Sequence, residues 1–169
     1  MFSVSSVVKM GDMAHLKNIN VNPRGGVPKL PVAEARIVEV GVVGDKQRDR
    51  RYHGGPQRAV CLYSVERIEA LRAEGHPIEA GTTGENLTIE GLDWQFITPG
   101  TRLEIGDVIL EITSYTAPCK HIIASFANGE FTRMGQKQHP GWSRVYARVL
   151  KEGRVQLKDS VYVSEEPLS

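Results

Sequence analysis

The sequence predicts a mainly β fold of α+β character: an antiparallel, β-barrel-like domain with a few short helices. Three observations predict it. Apolar or alternating runs of strand length recur along the chain, bounded by turn residues. Seventeen glycines and nine prolines in 169 residues supply the tight turns that many short strands need. Helical spacing with start and stop signals is clearest at one place, near residue 64.

Taken in order, residues 15–22, HLKNINVN, read as a short strand, and 23–32, PRGGVPKLPV, as a loop broken by Gly and Pro. In 35–45, Ile37, Val38, Val40, Val42 and Val43 interleave with smaller or polar residues, as in a strand. A charged loop, KQRDRRYHGGPQ (46–57), precedes the apolar RAVCLY (58–63), which has the length of a buried strand. Ser64 stands as an N-cap, Glu66 falls in the first turn, and Val65, Ile68 and Leu71 share a helix face that Gly75 and Pro77 end. Residues 85–91 read as a strand, and TRLEIGDVILEIT (101–113) alternates on both sides of a Gly106-Asp107 hairpin turn. Residues 119–129 read as a short helix or helical turn ending near Gly129. Residues 143–163 read as a second hairpin about Lys151-Glu152-Gly153, then a last strand. Residues 1–12 read as a loose leader before a single domain, 13–169, with Met13 an alternative start.

Net charge is +1, so no global field recruits nucleic acid or an acidic membrane. No apolar run reaches membrane-spanning length, and the N-terminus lacks a signal-peptide pattern. A cytoplasmic location is expected, and there a Cys61–Cys119 disulfide is disfavoured. Paired zinc-ligand spacing is missing, and Cys119 with His121 offers too few ligands.

Several groups carry chemistry. The loop from Lys46 to Arg58 holds Lys46, Arg48, Arg50, Arg51, His53 and Arg58 against Asp45 and Asp49, and Gly54-Gly55 lets backbone approach a ligand. It reads either as a solvated charged loop or as an anion site, with Arg58 fixed at the mouth of a buried strand. GGVPK (25–29) brings Lys29, and alone is a bland turn. Asn86 either fixes a ligand by its amide or caps its own loop. Arg144 and Arg148 fall at alternating strand positions, able to reach an anion or to line a polar face. Lys137, His139 and Trp142 precede them in a loop expected to be mobile. Cys61, among apolar neighbours, reads as a small buried hydrophobe. If residues 120–127 are helical, Cys119 lies at or before their first residue, where a helix terminus with Lys120 and His121 favours a thiolate. Local physics leaves it open between packing and chemistry.

GGVPK, GD…YHGGPQRAVCLY, GENLTIEGLD, LEIGDVILEIT…PCKHI and ARVLKEGRVQLKDSVYV occur in one order across residues 15–163. In this the chain resembles the MOSC domain family, named from the carboxy-terminal domain of molybdenum cofactor sulfurase, and its stand-alone bacterial members. The resemblance implies a β-barrel-rich fold and binding of the molybdenum cofactor (molybdopterin). It implies that Cys119 ligates molybdenum or carries sulfur, a role that suits a soft thiolate. It implies that Lys29, His53 and Arg58 hold phosphate and pterin, with Asn86, Lys120, Arg144 and Arg148 as further cofactor-binding candidates. The activity implied is reduction of N-hydroxylated compounds, a small-molecule substrate class, with the redox change belonging to the cofactor. The alternative is a cysteine-based sulfur carrier or cofactor carrier without redox turnover. A third reading is a non-catalytic module for a phosphorylated small molecule. The sulfurase's pyridoxal-phosphate domain has no counterpart here, and no ferredoxin-like cysteine set is present, so an external electron-donor protein is expected. Larger relatives extend beyond the barrel, so a chain ending at Ser169 is expected to lack part of their substrate pocket.

Overall fold

The computed structural model describes residues 14–46 and 55–164. The leader and His53 therefore lie outside the described residues. Eleven strands carry the fold: β1 His15–Val21, β2 Leu30–Val32, β3 Glu34–Val38, β4 Gly41–Val42, β5 Val60–Ser64, β6 Leu87–Glu90, β7 Arg102–Ile105, β8 Val108–Tyr115, β9 Val145–Lys151, β10 Gly153–Gln156 and β11 Val161–Ser164. One α-helix, α1 Val65–Ala73, and several 3₁₀ turns complete it. The mainly β class holds.

Eight strands form one sheet in the order β11-β7-β8-β9-β5-β6-β1-β2, and β10-β3-β4 form a second. The large sheet curls until its far strands nearly meet. His15 bridges Ser160, with Val161 N donating to Ala14 O at 2.9 Å and Leu16 N to Asp159 O at 2.8 Å. Pairing is antiparallel except for β5 and β6, which run parallel with Leu62 opposite Leu87. A parallel neighbour needs a crossover, and α1 supplies it. Ser64 caps α1 by accepting from Arg67 N at 3.1 Å, and Val65, Ile68 and Leu71 are its buried face. Inside the curl, Leu16, Ile19, Leu62, Leu87, Ile89, Leu103, Ile105, Leu110 and Ile112 make a contiguous core. The Gly106 turn between β7 and β8 forms as expected, with Gly106 at φ 56°.

Three expectations change. Within 23–32, Leu30–Val32 pairs with β1 as a short edge strand. The 35–45 run folds back on itself: Ile37 pairs with Val42, leaving Val40 and Val43 exposed. Apolar content alone had suggested one strand, but an edge hairpin leaves its tip in water. The second expected hairpin does not close. After Lys151 the chain leaves the large sheet, and β10 pairs with β3. Gly153 permits the crossing, because a Cβ there would stand 2.6 Å from Asp107 Cβ. Residues 119–129 take the shorter of the two expected forms, as 3₁₀ turns Lys120–Ser125 and Ala127–Gly129 parted by extended Phe126. The Ala127 N–H donates to His76 Nδ1 at 3.1 Å, and Phe126 is buried, which breaks any continuous helix.

The loop ahead of β9 is anchored. Arg67 and Arg133 stand 4.4 and 4.1 Å from the Trp142 ring centroid, and Tyr63 Oη donates to Trp142 O at 2.7 Å. No helix among the described residues is long and apolar enough to cross a membrane.

Candidate functional site

One cavity of about 340 Å³ gathers most of the candidate residues. It opens where the 22–29 loop, the 81–86 loop, the start of β5, the approach to β9 and the Cys119 turn come together. Lys29, Lys46, Arg58 and Arg144 line it, together with both cysteines. His121, Asn86 and the Tyr146 ring join the polar wall, and among the described residues no carboxylate lines it. Such a wall selects anions.

Each side chain is held by its neighbours. Lys29 pairs with Asp45, whose carboxylate also accepts from Asn22 N at 2.8 Å and Asn86 Nδ2 at 2.9 Å. Asn86 in turn fastens the start of β5: its Oδ1 accepts from Cys61 N at 3.0 Å, and its own N–H donates to Cys61 O at 2.7 Å. The Asn86 amide thus positions Lys29 and Cys61 through backbone and Asp45 contacts. Arg58 ends a 3₁₀ turn, Pro56–Arg58, and lies 5.6 Å from the Tyr146 ring centroid. Arg144 is nine-tenths buried. Its Nη1 donates to Thr83 O at 2.6 Å and its Nη2 to Ala117 O at 3.4 Å, while Nε has no hydrogen-bond partner among the described residues.

The glycines of this region shape the cavity. Gly84, at φ 89°, passes Val27 so closely that a Cβ would lie 3.3 Å from Val27 Cγ1. Below it, Glu85 is fully buried, and its carboxylate accepts from Gly81 N, Thr83 Oγ1 and Thr88 Oγ1. Burial pushes the Glu85 acid above its ordinary range against those bonds. Burial likewise pushes the Cys61 thiol up, opposed first by Arg144, so Cys61 presents a neutral thiol. Its Sγ lies 3.7 Å from Thr116 Oγ1. The Tyr146 phenol is also raised by burial. Cys119 is part exposed, at the start of the 3₁₀ turn, and points its residue into the same cavity.

Of the sequence-predicted residues, Lys29, Arg58, Asn86, Cys119 and Arg144 come together here. Two do not line the cavity. Lys120 is exposed beside it. Arg148 is committed elsewhere: its Nε donates to Glu111 Oε1 at 2.8 Å across the β8–β9 ladder. His53 lies outside the described residues. Sequence reasoning missed Cys61 and Tyr146 as wall residues. Every residue of β5 is buried, so no alternation marked which face Cys61 takes. Tyr146 was findable, two residues from Arg144 on the same run. Among the described residues no three His, Cys, Asp or Glu side chains converge to hold a metal by themselves.

Comparison with known proteins adds ancestry. The family model of the MOSC domain matches residues 49–162. The Uncharacterized protein YflK of Bacillus subtilis (strain 168) is 30% identical over 132 residues, covering 77% of this chain and 59% of its own length. Protein YiiM of Escherichia coli (strain K12) is 26% identical over 133 residues, 73% of this chain and 59% of its own length. A protein named Reductase, from Gibberella moniliformis (strain M3125 / FGSC 7600), is 30% identical over 75% of this chain and only 23% of itself. The chain thus spans less than two thirds of these relatives. Among solved structures, YiiM from Geobacillus stearothermophilus aligns with a TM-score of 0.67 at 24% identity, over 90% of this chain and 75% of that one. The YUAD protein from Bacillus subtilis aligns at 0.69 and 16%, over 90% and 96%. At these identities the likeness is one of fold.

Proposed function

The chain belongs to the MOSC domain family, and from that premise we propose that it binds the molybdenum cofactor and reduces N-hydroxylated compounds with electrons from a separate donor protein. The observation that carries the reading is the donor set of one cavity. A part-exposed thiol, Cys119, shares it with Lys29, Lys46, Arg58 and Arg144, and among the described residues no carboxylate lines it. That set suits the group: a soft sulfur donor for the metal, cations for the phosphate, and an unfilled Arg144 Nε for an anionic oxygen. Among the described residues no three protein ligands converge, and in this reading the organic part of the cofactor supplies the metal's other donors.

In this reading Cys119 is the protein's metal ligand. Lys29 and Arg58 hold phosphate, Lys29 kept in place by Asp45 and Asn86. Val27 and Ile122 add apolar surface to the cavity wall. The cofactor, when bound, supplies the two-electron centre for N–O reduction. The relative named Reductase is consistent with a reductive activity. The test is turnover of a hydroxylamino purine with a chemical reductant, using protein from a cofactor-competent host. Activity is expected in the wild type and lost in Cys119→Ala; equal activity in both overturns the assignment.

A second reading, sulfur or cofactor carriage without turnover, draws on Cys61, a second sulfur on the same cavity. Intact mass spectrometry separates the two. A one-sulfur adduct that disappears in Cys119→Ala, on metal-free protein, favours carriage.

A further inference from the structure

Arg144 is a buried cation with incomplete partners. Lys29 has Asp45, Arg148 has Glu111 and Arg133 has Glu74, yet no ion pair among the described residues includes Arg144. Its guanidinium is fixed by two backbone carbonyls, Thr83 O and Ala117 O, which carry no full charge. Its Nε is left without an acceptor. The buried carboxylate that feels its field, Glu85, gives its oxygens to Gly81, Thr83 and Thr88, and burial drives it toward the neutral acid. The other groups that feel Arg144 from the cavity wall, the Cys61 thiol and the Tyr146 phenol, are held neutral by burial. A buried charge left like this costs the empty protein stability, and a charge-assisted bond from outside recovers it. The other lining cations are more open: Lys46 is exposed and Arg58 half-buried.

We propose that the floor of the cavity is a built oxyanion subsite, in which Arg144 Nε takes a carboxylate or phosphate oxygen of the bound molecule. The geometry is pre-organised, because the two carbonyls orient the guanidinium before any ligand arrives. The subsite deepens the cofactor reading of the same cavity and rests on it, while its phosphate titration requires no metal. The oxygen belongs either to the phosphate of a cofactor or to an anionic group on another small molecule.

The experiment uses the whole chain, cofactor-free, titrated with inorganic phosphate by calorimetry and followed by thermal unfolding. Phosphate is expected to bind saturably and to raise the melting temperature of the wild type. Arg144→Met is expected to weaken phosphate binding by about tenfold to a hundredfold, the scale of one hydrogen bond between charged groups. Without phosphate, Arg144→Met is expected to melt at or above the wild type, since the uncompensated charge is gone. Arg144→Lys keeps the charge but lacks Nε, and is expected to lose at least about tenfold. Arg148→Met, outside the cavity, leaves phosphate binding unchanged. Binding by Arg144→Met and Arg144→Lys within about twofold of the wild type overturns the proposal. So does a wild type indifferent to phosphate, or an Arg144→Met chain that melts far below the wild type while Arg144→Lys binds phosphate as the wild type does. Repeating the titration on cofactor-loaded protein assigns the source: exclusion of phosphate points to the cofactor's own phosphate, and persistent binding to another molecule's anion. Either result leaves the subsite standing.

Discussion

Asn86 shows how one side chain organises the site through its neighbours. Its amide accepts from Cys61 N and donates to Asp45, so it links β5 to the partner of Lys29. Asn86→Ala leaves a buried N–H and a buried carboxylate short of partners. A loss of about 2 kcal/mol in unfolding free energy is expected by denaturant titration. Glu85 makes a second prediction. The folded chain holds its proton more tightly than the unfolded chain does, because burial raises its pKa above the ordinary 4.5. Its contribution is therefore greatest below that ordinary value and is lost as pH rises toward the raised one. Glu85→Gln is expected to flatten this fall in a series of melting curves above about pH 4.5; an unchanged slope sinks the assignment. At this scale the sequence was partly legible. Basic and thiol residues stand out by type, so Lys29, Arg58 and Cys119 could be named. Contact roles could not: nothing in RAVCLY says that Cys61 turns to the cavity, or that Arg148 is taken by Glu111.

At the scale of elements, local signals worked where the backbone itself decides. Ser64 caps α1, and the Gly106 turn closes a hairpin, because both depend on a few adjacent residues. Ser64→Ala is expected to cost about 1 kcal/mol, read from chemical denaturation, as for other N-caps. Elements that depend on distant partners were misread. Gly153 to Gln156 leaves its sequence neighbour β9 to pair with β3, and no local pattern marks that exchange. For residues 119–129 the helical turn was legible but not its division, which the His76 bond to Ala127 and the burial of Phe126 impose. The helix-terminus argument for Cys119 falls with the helix. What remains is its place on a cationic wall.

For the whole molecule, the curled sheet works as a rigid frame. Loops from five parts of the chain meet at one end of it, which brings Lys29 beside Gly84 and Arg144 beside Cys61, far apart in sequence. Motif order carried the family even where element boundaries were wrong, because ordered turns and cations survive small shifts in strand ends. The central claim is that Cys119 on this wall is the protein's ligand to a molybdenum cofactor. The most direct measurement is elemental analysis of chain purified from a cofactor-competent host, with Cys119→Ala alongside and circular dichroism to confirm that both are folded. Near-stoichiometric molybdenum in the wild type and little in Cys119→Ala is the predicted result. Molybdenum retained equally by both chains, or absent from the folded wild type, contradicts it.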